Sequence, residues 1–289
     1  MDISGGWDLV VIGSGPAGEA AAMRAVKSGL RVAVVENQSK VGGSCTHLGT
    51  IPSKALRHQI RQVIRHHRNP LLQDMRVPGS NRWERMVSRA REAVDAQVTV
   101  RTGYYLRNRI PVFNGHGVLD GPGRVRVDEA GGRQWLLEAR HIILATGSRP
   151  YRPDDVDFNH PRVYDSDTIL SMAHTPRHLI IYGAGVIGCE YASMFAGFGM
   201  RVDLVNTRAH LLDFLDTEIS DALSYHLREQ GTTIRHDEHY TRVEADDHGV
   251  TLHLQSGKSI RADALLWSNG RTGNSDGLGL QSVGLSADG

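Results

Sequence analysis

Two glycine-rich turns carry the chemistry. Gly13, Gly15 and Gly18 lie in the run Gly13-Ser14-Gly15-Pro16-Ala17-Gly18, and Gly183, Gly185 and Gly188 in the run Gly183-Ala184-Gly185-Val186-Ile187-Gly188, 170 positions further on. In a strand-to-helix turn the first glycine makes the bend, the second lets a pyrophosphate approach the backbone, and the third lets helix and strand pack closely. The helix that follows offers free N–H groups and the positive end of its dipole to phosphate. One such run is weak, because glycine turns are common. Two copies in matched contexts predict two dinucleotide sites. Glu36 lies 23 positions after Gly13, where a carboxylate accepts both hydroxyls of an adenosine ribose; this suits FAD or NAD and repels a 2'-phosphate. The same offset from Gly183 gives Asn206, followed by Thr207 and Arg208. A neutral amide bonds a hydroxyl without repelling phosphate, and Arg208 is placed to pair with one, so the second site is expected to admit NAD(H) and NADP(H). The alternative is that Arg208 points to solvent and Asn206 merely ends a strand.

The elements that must position these turns repeat as well. Leu9 to Ile12 reads as a strand, Glu19 to Ser28 as an alanine-rich helix stopped by Gly29, and Arg31 to Val35 as a second strand. The second copy has Leu179 to Tyr182, a helix to Phe198, a stop at Gly199 and the strand Arg201 to Val205. The fold class is therefore α/β, with two Rossmann-like dinucleotide-binding domains. Between them Ser53 is expected to cap a helix through Arg68, ended by Asn69 and Pro70. Trp83, Met86, Val87, Ala90, Val94 and Val98 recur at helical spacing in a second helix from Arg82 to about Asn108. Val112 to Leu119, Arg124 to Val127 and Gln134 to Glu138, divided by glycine turns, predict a small antiparallel meander. His141 to Ala145 then reads as a buried strand. The Pro-rich stretch from Pro150 to Pro161 marks the expected crossing between domains, giving an FAD-binding domain over 1–149, an NAD(P)-binding domain over 150–265 and a return to the first over 266–289.

Composition narrows the class. The 289 residues carry 33 Lys plus Arg against 32 Asp plus Glu, which argues against an electrostatic nucleic-acid binder. The 40% hydrophobic content is that of a globular protein of about two domains. Two cysteines, Cys45 and Cys189, are too few for a disulfide scaffold and fit a reducing, cytoplasmic compartment. No basic leader precedes Leu9, and no stretch approaches the roughly 18 apolar residues of a membrane span, so neither secretion nor a membrane is expected. Arg65, His66, His67 and Arg68 read as a solvated helix end, since adjacent helix residues do not share a face. No metal site is expected.

The segment from Gly42 to Lys54, Gly42-Gly43-Ser44-Cys45-Thr46-His47-Leu48-Gly49-Thr50-Ile51-Pro52-Ser53-Lys54, resembles the redox-active region of the two-dinucleotide-binding flavoprotein disulfide reductases. Their two cysteines are separated by four residues. Here Cys45 is kept and Thr50 replaces the second, which excludes disulfide exchange. With Ala145-Thr146-Gly147-Ser148-Arg149-Pro150-Tyr151, Tyr164-Asp165-Ser166-Asp167 and Asn269-Gly270-Arg271-Thr272-Gly273-Asn274, the chain resembles the soluble pyridine nucleotide transhydrogenase family over its whole length. That resemblance implies FAD-mediated hydride exchange between NADPH and NAD(+), ping-pong through one nucleotide pocket, with Thr50 a neutral neighbour of the flavin. It assigns Gly13 to Gly18, Glu36, the loop Asn37-Gln38-Ser39-Lys40-Val41 with Gly42 to Cys45, Gly117, Thr146, Gly147 and Gly270 to FAD. It assigns Gly183 to Gly188 and Asn206 to Arg208 to the pyridine nucleotide. Lys54 and Glu190 are expected to pair beside the flavin, where a positive charge favours the reduced ring. Val186 stands where related reductases often carry a tyrosine lid. The family continues with a Gly-Asp strand and a dimerisation domain, both expected to be absent here, and it is homo-oligomeric. Two alternatives share these residues: a nucleotide-binding fragment without turnover, and an NAD(P)H oxidase or diaphorase.

Overall fold

The structure is a computed structural model that describes residues 6–69, 82–172 and 175–287. Pro70 and the side chains of His67 and Arg68 lie outside the described residues. In chain order the elements are β1 Trp7–Ile12, α1 Pro16–Lys27, β2 Val32–Glu36, α2 Gly43–His47, α3 Thr50–Arg68, α4 Arg82–Arg107, β3 Val112–Asn114, β4 His116–Leu119, β5 Arg124–Asp128 and β6 Gln134–Leu144. After them come β7 Ser148–Pro150, β8 Val163–Asp165, β9 His178–Tyr182, α5 Val186–Gly197, β10 Arg201–Val205, α6 Thr217–Glu229, β11 Thr232–Arg235, β12 Tyr240–Asp246, β13 Gly249–Leu254, β14 Ser259–Ala262, β15 Ala264–Trp267 and β16 Arg271–Gly273.

The chain divides into two compact units. One comprises 1–52, 92–149 and 273–289; the other comprises 53–91 and 150–272. The expected boundaries put all of 1–149 in one domain, whereas the described residues 53–69 and 82–91 group with the second unit. The reason is the apolar face of this helical arm. Leu56, Ile60, Trp83, Met86, Val87 and Ala90 are buried in one core with Phe195 of α5, and the Trp83 and Phe195 rings lie 5.5 Å apart.

In the first unit the strand order is β3-β2-β1-β6-β5-β4. β1 pairs in parallel with both β2 and β6, and its two faces feed two cores, Leu9 and Val11 beneath α1 and Val10 and Ile12 on the other side. A strand segment covered on both faces has to be apolar on both, which is why Leu9 to Ile12 show no alternation. Four expectations are corrected here. Val112 to Leu119 is not one meander strand: β3 joins the parallel sheet beside β2, and only β4 pairs antiparallel with β5. The break falls at Gly115, where a side chain would stand 2.7 Å from the Asp128 carbonyl oxygen. Gln134 to Glu138 and His141 to Ala145 are one strand, β6, antiparallel to β5 in its first half and parallel to β1 in its second. That second half is not buried, since Ile143 and Leu144 are both 38% exposed; among the described residues β1 is the strand that pairs with it there. Ser53 does not cap a helix, because α3 begins at Thr50 and carries Pro52 within its first turn, where proline is tolerated.

In the second unit β11-β10-β9-β15-β8 form a parallel sheet and β12-β13-β14 an antiparallel one. Ile180, Tyr182, Leu265 and Trp267 meet Val250, Leu252 and Ile260 between them, with the Tyr182 and Trp267 rings stacked at 4.5 Å.

Candidate functional site

The twin turns have the same geometry. Gly13 has φ +105° and Gly183 φ +102°, a region that L side chains rarely adopt. A Cβ at Gly13 would stand 2.2 Å from the Ala145 carbonyl oxygen, and one at Gly183 2.7 Å from that of Ser268. A Cβ at Gly18 or at Gly188 would stand 1.9 Å from the carbonyl oxygen of its own first glycine. At the middle position the space is free: a Cβ on Gly15 meets Gly43 Cα at 3.8 Å, and one on Gly185 meets nothing within 4 Å. Gly15 and Gly185 are the N-caps of α1 and α5, both in extended backbone and neither with a side chain bonded to the helix end. Each turn therefore presents uncapped N–H groups beside a backbone that a phosphate can approach. Pro16 and Val186 open the two helices, with Ala17 and Ile187 in their first turns.

The position 23 residues on differs in polarity. Glu36 is buried; its Oε2 accepts from the Ser14 amide at 2.9 Å and from the Ser14 hydroxyl, and its Oε1 accepts from the Gln38 amide at 2.8 Å. Asn206 is also buried, but its Nδ2 donates, to the carbonyls of Arg208 at 2.7 Å and His210 at 2.9 Å. Each side chain ties down the loop after its strand, one as an anion and one as a neutral donor. The Arg208 guanidinium pairs with Asp213, and Thr207, between Asn206 and Arg208 in sequence, is half-buried.

Around the first turn, the Gly42 amide donates to Ser14 Oγ at 3.0 Å and Val41 is buried, while Asn37, Gln38, Ser39 and Lys40 are exposed. Lys40 pairs with Asp95 at 3.3 Å. Gly43, Ser44 and Cys45 open α2, and Cys45 is a free, half-buried thiol. Gly117 packs against Ile12 and Val35. Thr146 and Gly147 follow β6, and their carbonyls accept from Asn274 at 2.9 and 3.0 Å.

In the second unit Lys54 Nζ donates to Glu190 Oε1. The lysine is 51% exposed and the glutamate 30%, so the pair contributes no more than about 1 kcal/mol to folding. Burial pushes the Cys189 thiol up to about 12, and it donates to the Ala184 carbonyl; it carries no thiolate chemistry. Gly270, exposed and at φ +103°, accepts from the Tyr151 amide at 3.1 Å. Arg271 bonds Ser166 and Asp167, and Arg152 reaches the fully buried Asp165 at 2.6 Å.

Two residues were missed from the sequence. Ser268 Oγ donates to the Gly183 carbonyl at 2.7 Å and closes the second turn. The signal was present: Ser268-Asn269-Gly270 repeats the strand-end position of Ala145-Thr146-Gly147. Asp213 carried no such signal, being one acid among several before α6.

Two sheets, one mixed and one parallel, each with a glycine turn leading from a parallel strand into a helix, define a two-dinucleotide α/β protein. The chain belongs to the pyridine nucleotide-disulphide oxidoreductase family, whose profile matches residues 7–289. It is 58% identical over 283 residues to the soluble pyridine nucleotide transhydrogenase of Azotobacter vinelandii, spanning 98% of this chain and 61% of that protein. It is also 58% identical to the protein of the same name from Pseudomonas putida, spanning 96% and 60%. Similar solved structures include the HOCl-induced flavoprotein disulfide reductase RclA from Escherichia coli as a Cu(II) complex, with TM-score 0.85 and 28% identity over 98% of this chain and 61% of that one. Another is LpdA from Mycobacterium tuberculosis, with TM-score 0.87 and 25% identity over 96% and 62%. The chain thus spans about three fifths of the length of these relatives. No helix among the described residues is long and apolar enough to cross a membrane, and no cluster of three His, Cys, Asp or Glu that could hold a metal occurs among them.

Proposed function

We propose that this chain belongs to an FAD-dependent enzyme that exchanges hydride between NADPH and NAD(+). The observation that carries the reading is the pair of open glycine cradles, one backed by a carboxylate and one by an amide. The 58% identity to soluble transhydrogenases supports it, and Thr50 in place of a second cysteine argues against disulfide reduction.

The residues fit the two groups. Gly13 to Gly18 and Gly42 to Cys45 hold the FAD pyrophosphate, Glu36 its adenosine ribose, and Lys40, Gly117, Thr146, Gly147 and Gly270 flank it. When bound, FAD supplies a ring that accepts and returns a hydride. Gly183 to Gly188 hold the pyridine nucleotide, and because one cradle serves NADPH and NAD(+) in turn, the kinetics are ping-pong. Asn206 bonds the ribose without repelling a phosphate, and Val186, 52% exposed, leaves the helix end open. Lys54, steadied by Glu190, supplies positive charge toward the flavin, while Cys45 and Thr50 are its neighbours, Thr50 a neutral one. Orientation and electrostatics account for the rate, and the hydride itself needs no general acid or base. The two free cysteines support a reducing, cytoplasmic setting.

The test is reduction of a thio-analogue of NAD(+) by NADPH with added FAD, alongside a visible spectrum of the purified chain. Flavin bands and turnover support the reading. A colourless protein that binds NADPH without turnover is a nucleotide-binding fragment, and oxygen consumption without NAD(+) reduction is an oxidase.

A further inference from the structure

We propose that Asp213 sets the nucleotide preference of the second cradle: by holding the Arg208 guanidinium it weakens binding of a dinucleotide with a 2'-phosphate relative to one with a 2'-hydroxyl. This rests on reading Gly183 to Gly188 as the pyridine nucleotide cradle.

In the first cradle the discriminating charge is Glu36 itself. In the second, Asn206 is neutral and its Nδ2 is committed to the Arg208 and His210 carbonyls, which leaves Oδ1 to accept from a ribose hydroxyl, so discrimination against a 2'-phosphate passes to the loop beyond it. That loop is firmly placed. Leu211 is 1% exposed, Leu212 turns the chain at φ +47°, and the Arg208 carbonyl also accepts from the Asp237 amide at 3.3 Å. Leu212 at this φ is uncommon for a residue with a side chain, and it follows directly on the anchored Leu211. Its consequence is that Asp213 folds back onto Arg208.

Arg208 is 64% exposed and Asp213 46%, and among the described residues Asp213 is the one acid paired with this arginine. A 2'-phosphate carries close to two negative charges and binds best to a guanidinium through two parallel hydrogen bonds. To engage Arg208 it must displace the Asp213 carboxylate or share the guanidinium with a like charge a few ångströms away. A 2'-hydroxyl meets neither cost. An exposed ion pair is weak, so Asp213 tunes the preference without closing the site to NADP(H).

The experiment titrates NADPH and NADH into the full chain, read by nucleotide fluorescence, for wild type, Asp213→Asn, Arg208→Met and the double variant. Asp213→Asn is expected to tighten NADPH about fivefold and to leave NADH within about twofold, with the gain shrinking at high salt. Arg208→Met weakens NADPH alone, and in that background Asp213→Asn changes NADPH by less than about twofold, because the two act through one guanidinium. The proposal is overturned if Asp213→Asn leaves NADPH unchanged, tightens both nucleotides equally, or keeps its gain without Arg208. If the wild type binds neither nucleotide, or Gly188→Ala leaves both affinities intact, the cradle reading itself fails and this inference falls with it.

Discussion

At the scale of single residues, the Lys54–Glu190 pair separates function from stability. Both groups are partly exposed, so Lys54→Met is expected to lower stability by less than about 1 kcal/mol. The same change removes the positive charge proposed to act on the flavin, and NADPH-dependent thio-NAD(+) reduction should fall by about two orders of magnitude. Thermal unfolding and steady-state rates on one preparation check both halves. Asp203 is the opposite case. It is fully buried in β10, where His178 Nε2 lies 2.7 Å from Oδ2 and Arg235 reaches Oδ1 at 2.8 Å. Burial alone would raise its pKa, but the hydrogen bonds from His178 and Arg235 outweigh this and hold it below the usual carboxylate range. A depressed folded pKa contributes stability that is present above the unfolded value, about 3.9, and lost as pH falls through the folded one. Asp203→Asn should therefore cost about 3 kcal/mol at neutral pH and progressively less below about pH 4, which urea titrations at pH 7 and pH 3.5 would show.

At the scale of elements, the cradle depends on close backbone approach. Gly188→Ala would place a Cβ 1.9 Å from the Gly183 carbonyl oxygen, forcing α5 away from the turn. NADPH affinity should drop at least tenfold, or about 1.4 kcal/mol, in a fluorescence titration. The helical arm is held by burial. Trp83 is 2% exposed, packs on Phe195 and donates to the Met172 carbonyl at 3.3 Å. Trp83→Ala should cost about 3–5 kcal/mol, measured by denaturant unfolding.

At the scale of the whole molecule, one cradle lies in each of the two units, so a change in one glycine turn is made in a different unit from the other. Gly18→Ala is expected to abolish flavin bands in the visible spectrum while NADPH still binds, and Gly188→Ala to do the reverse.

The twin turns, their flanking strands and helices, and the acid–amide contrast at Glu36 and Asn206 were legible in the sequence, because each is a local pattern: a glycine spacing, an apolar run, a fixed offset. Packing and pairing were not. The separate partners of β3 and β4, the union of two short runs into β6, the placement of residues 53–69 and 82–91 with the second unit and the grip of Asp213 on Arg208 all depend on residues brought together by the fold. A strand's neighbour is chosen by hydrogen bonding and burial between segments far apart in the chain, and an ion pair across a turn by backbone angles that side-chain identity does not announce. Tertiary structure alone decided these.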